Sequence, residues 1–368
     1  MQNKTLITAT FVATAAMVLS ACAAPTAAPA AKPAEPAKPA AATSAPAAPA
    51  ASTGKKLTVL CTVTEEWCAV QTKAFEAKTG IKTTFVRLSS GEAATKLRAT
   101  KSNPEYSVWW GGPADGFVAA KQDGVLEAYK SPAAAKISDK QKDAEGFWTG
   151  VYVGALGICS NQEELKKIGM PVPTSWDDLT SDKLKGKFSI AHPATSGTSY
   201  TTVWTQMTLN NFDEAKTLAY FKKLHPNVFQ YTKSGVAPAQ TVGKGEAAVG
   251  IVFSHDCVAA IDSGFKDLVV SFPKEGTGYE IGAMGLVKGG PEPVEAKLWI
   301  DWALTPEAQE LGGQAKAYQL PTNPDAKVHP RAVKLSDIKL VEYDFDKAGK
   351  AKKDLVAKFE EQIATQPK

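Results

Sequence analysis

Residues 57–112 read LTVLCTVTEEWCAVQTKAFEAKTGIKTTFVRLSSGEAATKLRATKSNPEYSVWWGG, and their rhythm decides the fold class. LTVLCTV (57–63) is an apolar run of strand length. Residues 65–79 then put Trp67, Val70, Ala74 and Phe75 on one helical face, and Gly80 supplies a C-cap. IKTTFVRL (81–88) reads as a second strand, 91–101 as a helix, YSVWWGG (106–112) as a third strand and 114–123 as a helix closed by Gly124. This βαβαβα order predicts an α/β fold with a mostly parallel sheet and right-handed crossovers. Such sheets bind ligands at the carboxyl ends of their strands, which singles out the loops 61–65, 88–92 and 109–113.

The pattern then repeats without a fixed period. FWTGVYVGALGICSN (147–161) is a Gly-rich strand able to leave one lobe for another. A helix begins at 176–179, KFSIAHP (187–193) is a strand, and 196–210 and 213–224 are helices. AAVGIVFSHD (247–256) is a strand with a loop at its end, DLVVSFP (267–273) another, and YEIGAMGLVKGG (279–290) a strand that crosses back. Two crossings between two α/β lobes imply a cleft above a hinge. The expected layout is lobe 1 over 54–153, lobe 2 over 154–280, a return to lobe 1 over 281–325, and a C-terminal helical segment, 326–368, packing on lobe 2.

Composition bounds the function. The chain has 368 residues, 44% hydrophobic and 22% charged, enough for two domains with real cores. Its 42 Lys and Arg against 38 Asp and Glu leave a net charge of +4. Half of that excess lies in the first 53 residues, through Lys4, Lys32, Lys38 and Glu35. A near-neutral body excludes a nucleic-acid binder driven by a basic field. GxSxG, HExxH and GxxxxGK[ST] are absent and the four His are scattered, so the sequence predicts no enzyme, no cofactor and no metal site.

The amino terminus reads as an export address. Lys4 precedes an uncharged stretch, 6–21, of signal-peptide length. Leu19-Ser20-Ala21-Cys22 resembles the bacterial lipobox, which implies cleavage and lipidation at Cys22. Residues 1–22 are thus a lipoprotein signal and 23–53, with seven Pro and many Ala, an extended tether that cannot offset its chain entropy by packing. The expected location is the outer side of the cytoplasmic membrane, held there by lipid. Four cysteines remain. Cys61 ends the first strand and Cys68 opens the following helix, which favours a 61–68 bridge; Cys159 and Cys257 form the second candidate pair, and four buried thiols are the alternative.

Free N–H groups at helix starts make anion sites. Thr62, Thr64, Ser90, Gly91 and Gly112 occupy the starts in the three loops above. Thr62-Val63-Thr64-Glu65 and Ser89-Ser90-Gly91-Glu92 also match the capping box, in which side chains use those groups themselves. Thr195-Ser196-Gly197-Thr198-Ser199 has no acidic residue between Asp182 and Asp213, so Ser196, Gly197 and Thr198 form the better phosphate cradle.

PVPTSWDDLT, KGKFSIAHPATSGTSYTTVW, GIVFSHD and PKEGTGYEIGAMGLVKG, with EEWC, RLSSGEA and WWGGPAD before them, resemble a type II solute-binding protein of an ATP-driven importer. The resemblance spans about 57 to 325 and points to the branch holding ferric-ion-binding and hexose-phosphate-binding proteins. It implies a two-lobe fold, a monomer, a membrane permease as partner and a small phosphorylated solute as ligand. In the hexose-phosphate branch a His-Asp pair and a later Glu contact sugar hydroxyls, which maps onto His255, Asp256 and Glu280. Trp109, Trp110 and Trp148 offer faces for an organic group, though at least two suit a core. The iron binders use an adjacent Tyr pair, and this sequence has none, so ferric ion or another cation of polyamine or thiamine type is the alternative ligand, and a secreted hydrolase using His255, Asp256 and Glu280 the alternative class.

Overall fold

The computed structural model describes residues 56–368; the signal, the tether and Cys22 lie outside the described residues. Lobe 1 opens with β1 (Lys56–Cys61), α1 (Glu65–Thr79), β2 (Lys82–Arg87), α2 (Ser90–Ala99), β3 (Val108–Pro113), α3 (Ala114–Gln122) and β4 (Leu126–Glu127). β1 pairs in parallel with β2 and β3, as the alternation requires. The sheet's faces are covered by two apolar clusters, one around Trp67, Phe75, Trp110 and Trp299, the other around Leu97, Trp109 and Phe117.

β5 (Thr149–Asn161) carries the chain across. Lobe 2 contains α4 (Gln162–Lys167), β6 (Phe188–Ala191), α5 (Gly197–Leu209), α6 (Glu214–Leu224), β7 (Val228–Thr232), α7 (Ala237–Gly243), β8 (Val249–Phe253), α8 (Ser254–Asp262) and β9 (Leu268–Ser271). β10 (Tyr279–Val287) returns, followed by α9 (Pro293–Ala303), α10 (Pro306–Glu310), β11 (Leu320–Pro321) and α11 (Phe345–Phe359). The strand order is β2-β1-β3-β10-β5-β8-β6-β7. The first half of β5 pairs antiparallel with β10, and its second half with β8 and β9. β5 and β10 are therefore the two crossover strands beneath the cleft.

Several local readings shift. The strand expected to run through 256 stops at Phe253, and His255-Asp256 sit in the first turn of α8 rather than in a loop. The start expected as a helix at 176–179 is a short 3-10 turn, Asp177–Thr180. The C-terminal segment, assigned from sequence to lobe 2, touches both lobes. The Lys352 Nζ of α11 donates to the fully buried Asp115 of α3 at 2.7 Å, and Tyr343 O–H donates to the same carboxylate at 2.9 Å. Farther along, Phe359 enters the lobe 2 core and Lys358 pairs with Glu214 of α6. A helix that satisfies a buried carboxylate in one lobe and buries an aromatic ring in the other straps the back of the molecule. Among the described residues no helix is long and apolar enough to cross a membrane.

Candidate functional site

The lobes meet in front through backbone: Gly91 N–H of α2 donates to Thr195 O at 2.8 Å. A Cβ on Gly91 would stand 2.1 Å from Ala194 O, so only glycine lets the lobes approach this closely. Arg87, at the carboxyl end of β2, adds a second link, its guanidinium donating to Val63 O at 3.0 Å and to Ser234 Oγ of lobe 2 at 3.1 Å. Behind these links lies a cavity lined by Thr62, Thr64, Ser90, Gly112, Ser196, Gly197, Thr198, His255, Asp256 and Glu280. Gly91, alone of the sequence-predicted ligand residues, is outside that lining, and its N–H is spent on closure.

The strand ends deliver helix starts to this cavity, and their N–H groups fare differently. Thr62 does not open a capping box. The helix begins at Glu65 with Thr64 as N-cap, and the Thr62 hydroxyl instead donates to Gly111 O at 2.5 Å while accepting Trp109 Nε1–H at 3.2 Å. Gly112 N–H donates to the Tyr152 hydroxyl at 2.9 Å. Thr62 and Gly112 thus shape the wall with groups already engaged. At 89–92 the side-chain device does form, Glu92 accepting both the N–H and the O–H of Ser89. The start of α5 is only partly capped. Ser196 Oγ caps Ser199 N–H at 3.3 Å, while among the described residues the N–H groups of Gly197 and Thr198 have no acceptor. With no acidic residue in its first turn, α5 presents donors and the positive end of its dipole to the cavity.

The opposite wall is acidic and buried. His255 is 5% exposed and Glu280 3%. His255 Nε2 stands 3.8 Å from Asp256 Oδ1 and 3.7 Å from Glu280 Oε1, too far for hydrogen bonds. Among the described residues neither carboxylate accepts a hydrogen bond, and His255 Nδ1 has no partner. Gly154 of β5 makes room for the ring, since a Cβ there would lie 2.6 Å from Nδ1. Burial drives the chemistry of all three groups. It pushes His255 down to about 3, so the imidazole is neutral, and Asp256 up to about 7, against the pull of Arg87. Glu280 is raised well above the usual carboxylate range by burial and then by the charge of Asp256. Burial and then Glu280 likewise hold the Tyr152 phenol protonated.

Sequence reasoning passed over Arg87, Tyr152, Ser234 and Gln319, which also line the cavity. Arg87 had a visible signal, a cation closing a strand directly ahead of the candidate loop 88–92. Trp109, Trp110 and Trp148 are buried and none faces the cavity; Trp109 stacks on Phe117 at 4.0 Å. The cysteines pair as expected, Cys61 with Cys68 and Cys159 with Cys257. Among the described residues no group of three or more His, Cys, Asp or Glu side chains is placed to hold a metal ion.

Residues 71–337 match the family model described as bacterial extracellular solute-binding protein. The periplasmic binding protein AfuA from Actinobacillus pleuropneumoniae, solved with exogenous fructose-6-phosphate bound, is 41% identical over 86% of this chain and 100% of its own, with a TM-score of 0.82. A putative 2-aminoethylphosphonate-binding periplasmic protein of Salmonella typhi is 26% identical over 66% of this chain and 70% of that protein. A ferric binding protein from Campylobacter jejuni, 20% identical over 83% and 99% of the two chains at a TM-score of 0.69, shares the fold alone.

Proposed function

The chain belongs to the bacterial extracellular solute-binding protein family, and from that premise we propose that it captures a small sugar phosphate by closing its cleft and delivers it to a membrane permease. One observation carries the ligand class. The partly capped start of α5 faces, across a single cavity, two buried carboxylates that accept no hydrogen bond. An anion suits the first wall and a hydroxyl-bearing body the second. A neutral imidazole beside carboxylates that burial partly protonates offers donors and acceptors together, which matches hydroxyls better than an ammonium group.

Ligand that bridges both walls contacts them fully only when the lobes are shut, so it shifts the hinge toward the closed form. The permease would read that form. We place the protein outside the cytoplasmic membrane, anchored by lipid on Cys22 and leashed by 23–53. This reading gives the protein no catalytic role. A cationic ligand is the second reading, supported by the same acidic wall and by the aminoethylphosphonate relative.

Calorimetry with fructose 6-phosphate, 2-aminoethylphosphonate and inorganic phosphate separates these. The proposal expects the sugar phosphate to bind tightest and inorganic phosphate to bind weakly. Tighter binding of the aminophosphonate would replace hydroxyls by an amine at Asp256 and Glu280, and no binding of any of the three would remove the anion reading.

A further inference from the structure

The cavity's helix starts are held by two different devices. α2 and α5 use side chains: Glu92 grips Ser89, and Ser196 caps Ser199 N–H. The turn ahead of α3 is held by Thr62 on Gly111 O and by Tyr152 on Gly112 N–H. α1 and α8 have N-cap residues, Thr64 and Phe253, that make no side-chain cap. These two helices instead carry the disulfides, and in both the cysteine is the fourth helical residue. Glu65-Glu66-Trp67-Cys68 is tied to Cys61 at the end of β1, and Ser254-His255-Asp256-Cys257 to Cys159 in β5.

Each bridge closes around ligand-facing residues. Thr62, Val63 and Thr64 lie inside the ring made by Cys61 and Cys68, and His255 and Asp256 immediately precede Cys257. One bridge stands in each lobe, and all four cysteines are at most 1% exposed. A side-chain cap takes up an N–H at the helix start, as Ser196 takes that of Ser199. A covalent tie from the fourth residue to a strand fixes the direction of the helix start and leaves that group free.

We infer that the two disulfides stand in for helix caps, preorganising the ligand-bearing turn of each lobe. The consequence for affinity rests on the solute-binding reading above; the local order does not. Preorganisation of this kind strengthens binding by removing the ordering cost from the binding step.

The direct test is amide hydrogen exchange on the ligand-free protein with one pair removed at a time, Cys61→Ala/Cys68→Ala or Cys159→Ala/Cys257→Ala. Exchange should accelerate about tenfold or more at 62–68 in the first and at 254–258 in the second, while 57–60 and 249–253 keep their protection. Adding Thr64→Asp, a stronger cap, to the first pair should restore slow exchange at 62–68. Unchanged exchange at the turns, or acceleration spread through the whole lobe, would overturn the inference. Wild-type protein in rising phosphine reductant gives the same readout without a substitution, should a variant fail to fold. In binding, the second pair should weaken fructose 6-phosphate about tenfold and leave inorganic phosphate unchanged. If wild-type protein binds neither probe, the ligand reading fails and the exchange result still decides the disulfides.

Discussion

The two walls of the cavity solve recognition with opposite materials. The wall at α5 works with backbone N–H groups, hydroxyls and a helix dipole, none of which titrates near neutrality. The wall at α8 works with a buried imidazole and two buried carboxylates, all displaced from their ordinary protonation by burial. The first suits any phosphate-like anion and carries little information about the rest of the ligand. On the proposed reading the second supplies specificity, and its buried groups leave a trace of pH dependence.

The comparison breaks most severely where both walls depend on one contact. Gly91→Ala puts a methyl group into Ala194 O, and neither backbone can yield. The lobes should stay apart, fructose 6-phosphate should no longer reduce the radius of gyration in small-angle scattering, and a closed population near 1% would weaken every ligand about a hundredfold. A variant that still closes would mean that Gly91 is not a closure contact.

Asp256→Ala should then separate the walls. Losing a charged acceptor costs about 1.5–3 kcal/mol, or about ten- to a hundredfold for fructose 6-phosphate, with inorganic phosphate hardly affected. Equal losses for both ligands by calorimetry would erase the division of labour.

The pH trace sharpens the same contrast without ligand. His255 is depressed to about 3, so the folded state holds fewer protons than the unfolded chain between pH 3 and 6.5, and stability from this group rises with pH. Asp256 is raised to about 7 and Glu280 also upward, so the folded state holds more protons above pH 4, and their stability is lost as pH rises. In the wild type the rising slope of His255 offsets part of the fall from the two carboxylates. His255→Gln removes the rising one. The unfolding free energy of the ligand-free variant, from urea titration, should fall from pH 4 to pH 6.5 by about 3 kcal/mol more than that of wild type. Parallel pH profiles would show that these groups are not shifted as described.

The smallest expected effect lies on the first wall. Thr198→Ala removes one neutral hydroxyl while the Gly197 and Thr198 N–H groups remain, so both fructose 6-phosphate and inorganic phosphate should weaken about three- to tenfold. Loss of only one of them would move the phosphate elsewhere.

The lobes were legible because strand–helix alternation follows period and punctuation, as at Gly80 and Gly124, where each element's neighbours in sequence suffice. That Ser196, Gly197 and Thr198 stand at a helix start lacking acid was legible for the same reason. His255 and Asp256 do line the cavity but stand in a different element from the one expected, because AAVGIVFSHD shows no break where β8 ends and α8 begins. Tyr152 was invisible, since its hydroxyl acts on Gly112, 40 residues away across the sheet. Likewise the span of α11 over both lobes depends on Asp115 being fully buried and paired with Lys352, which periodicity does not report.

The account stands or falls on what the cleft carries. Mass spectrometry of small molecules released by unfolding the purified protein tests it most directly. A ligand with one phosphoryl group on a polyhydroxylated carbon skeleton, recovered chemically intact, is the predicted result. Iron, or an organic molecule without phosphorus, would contradict it.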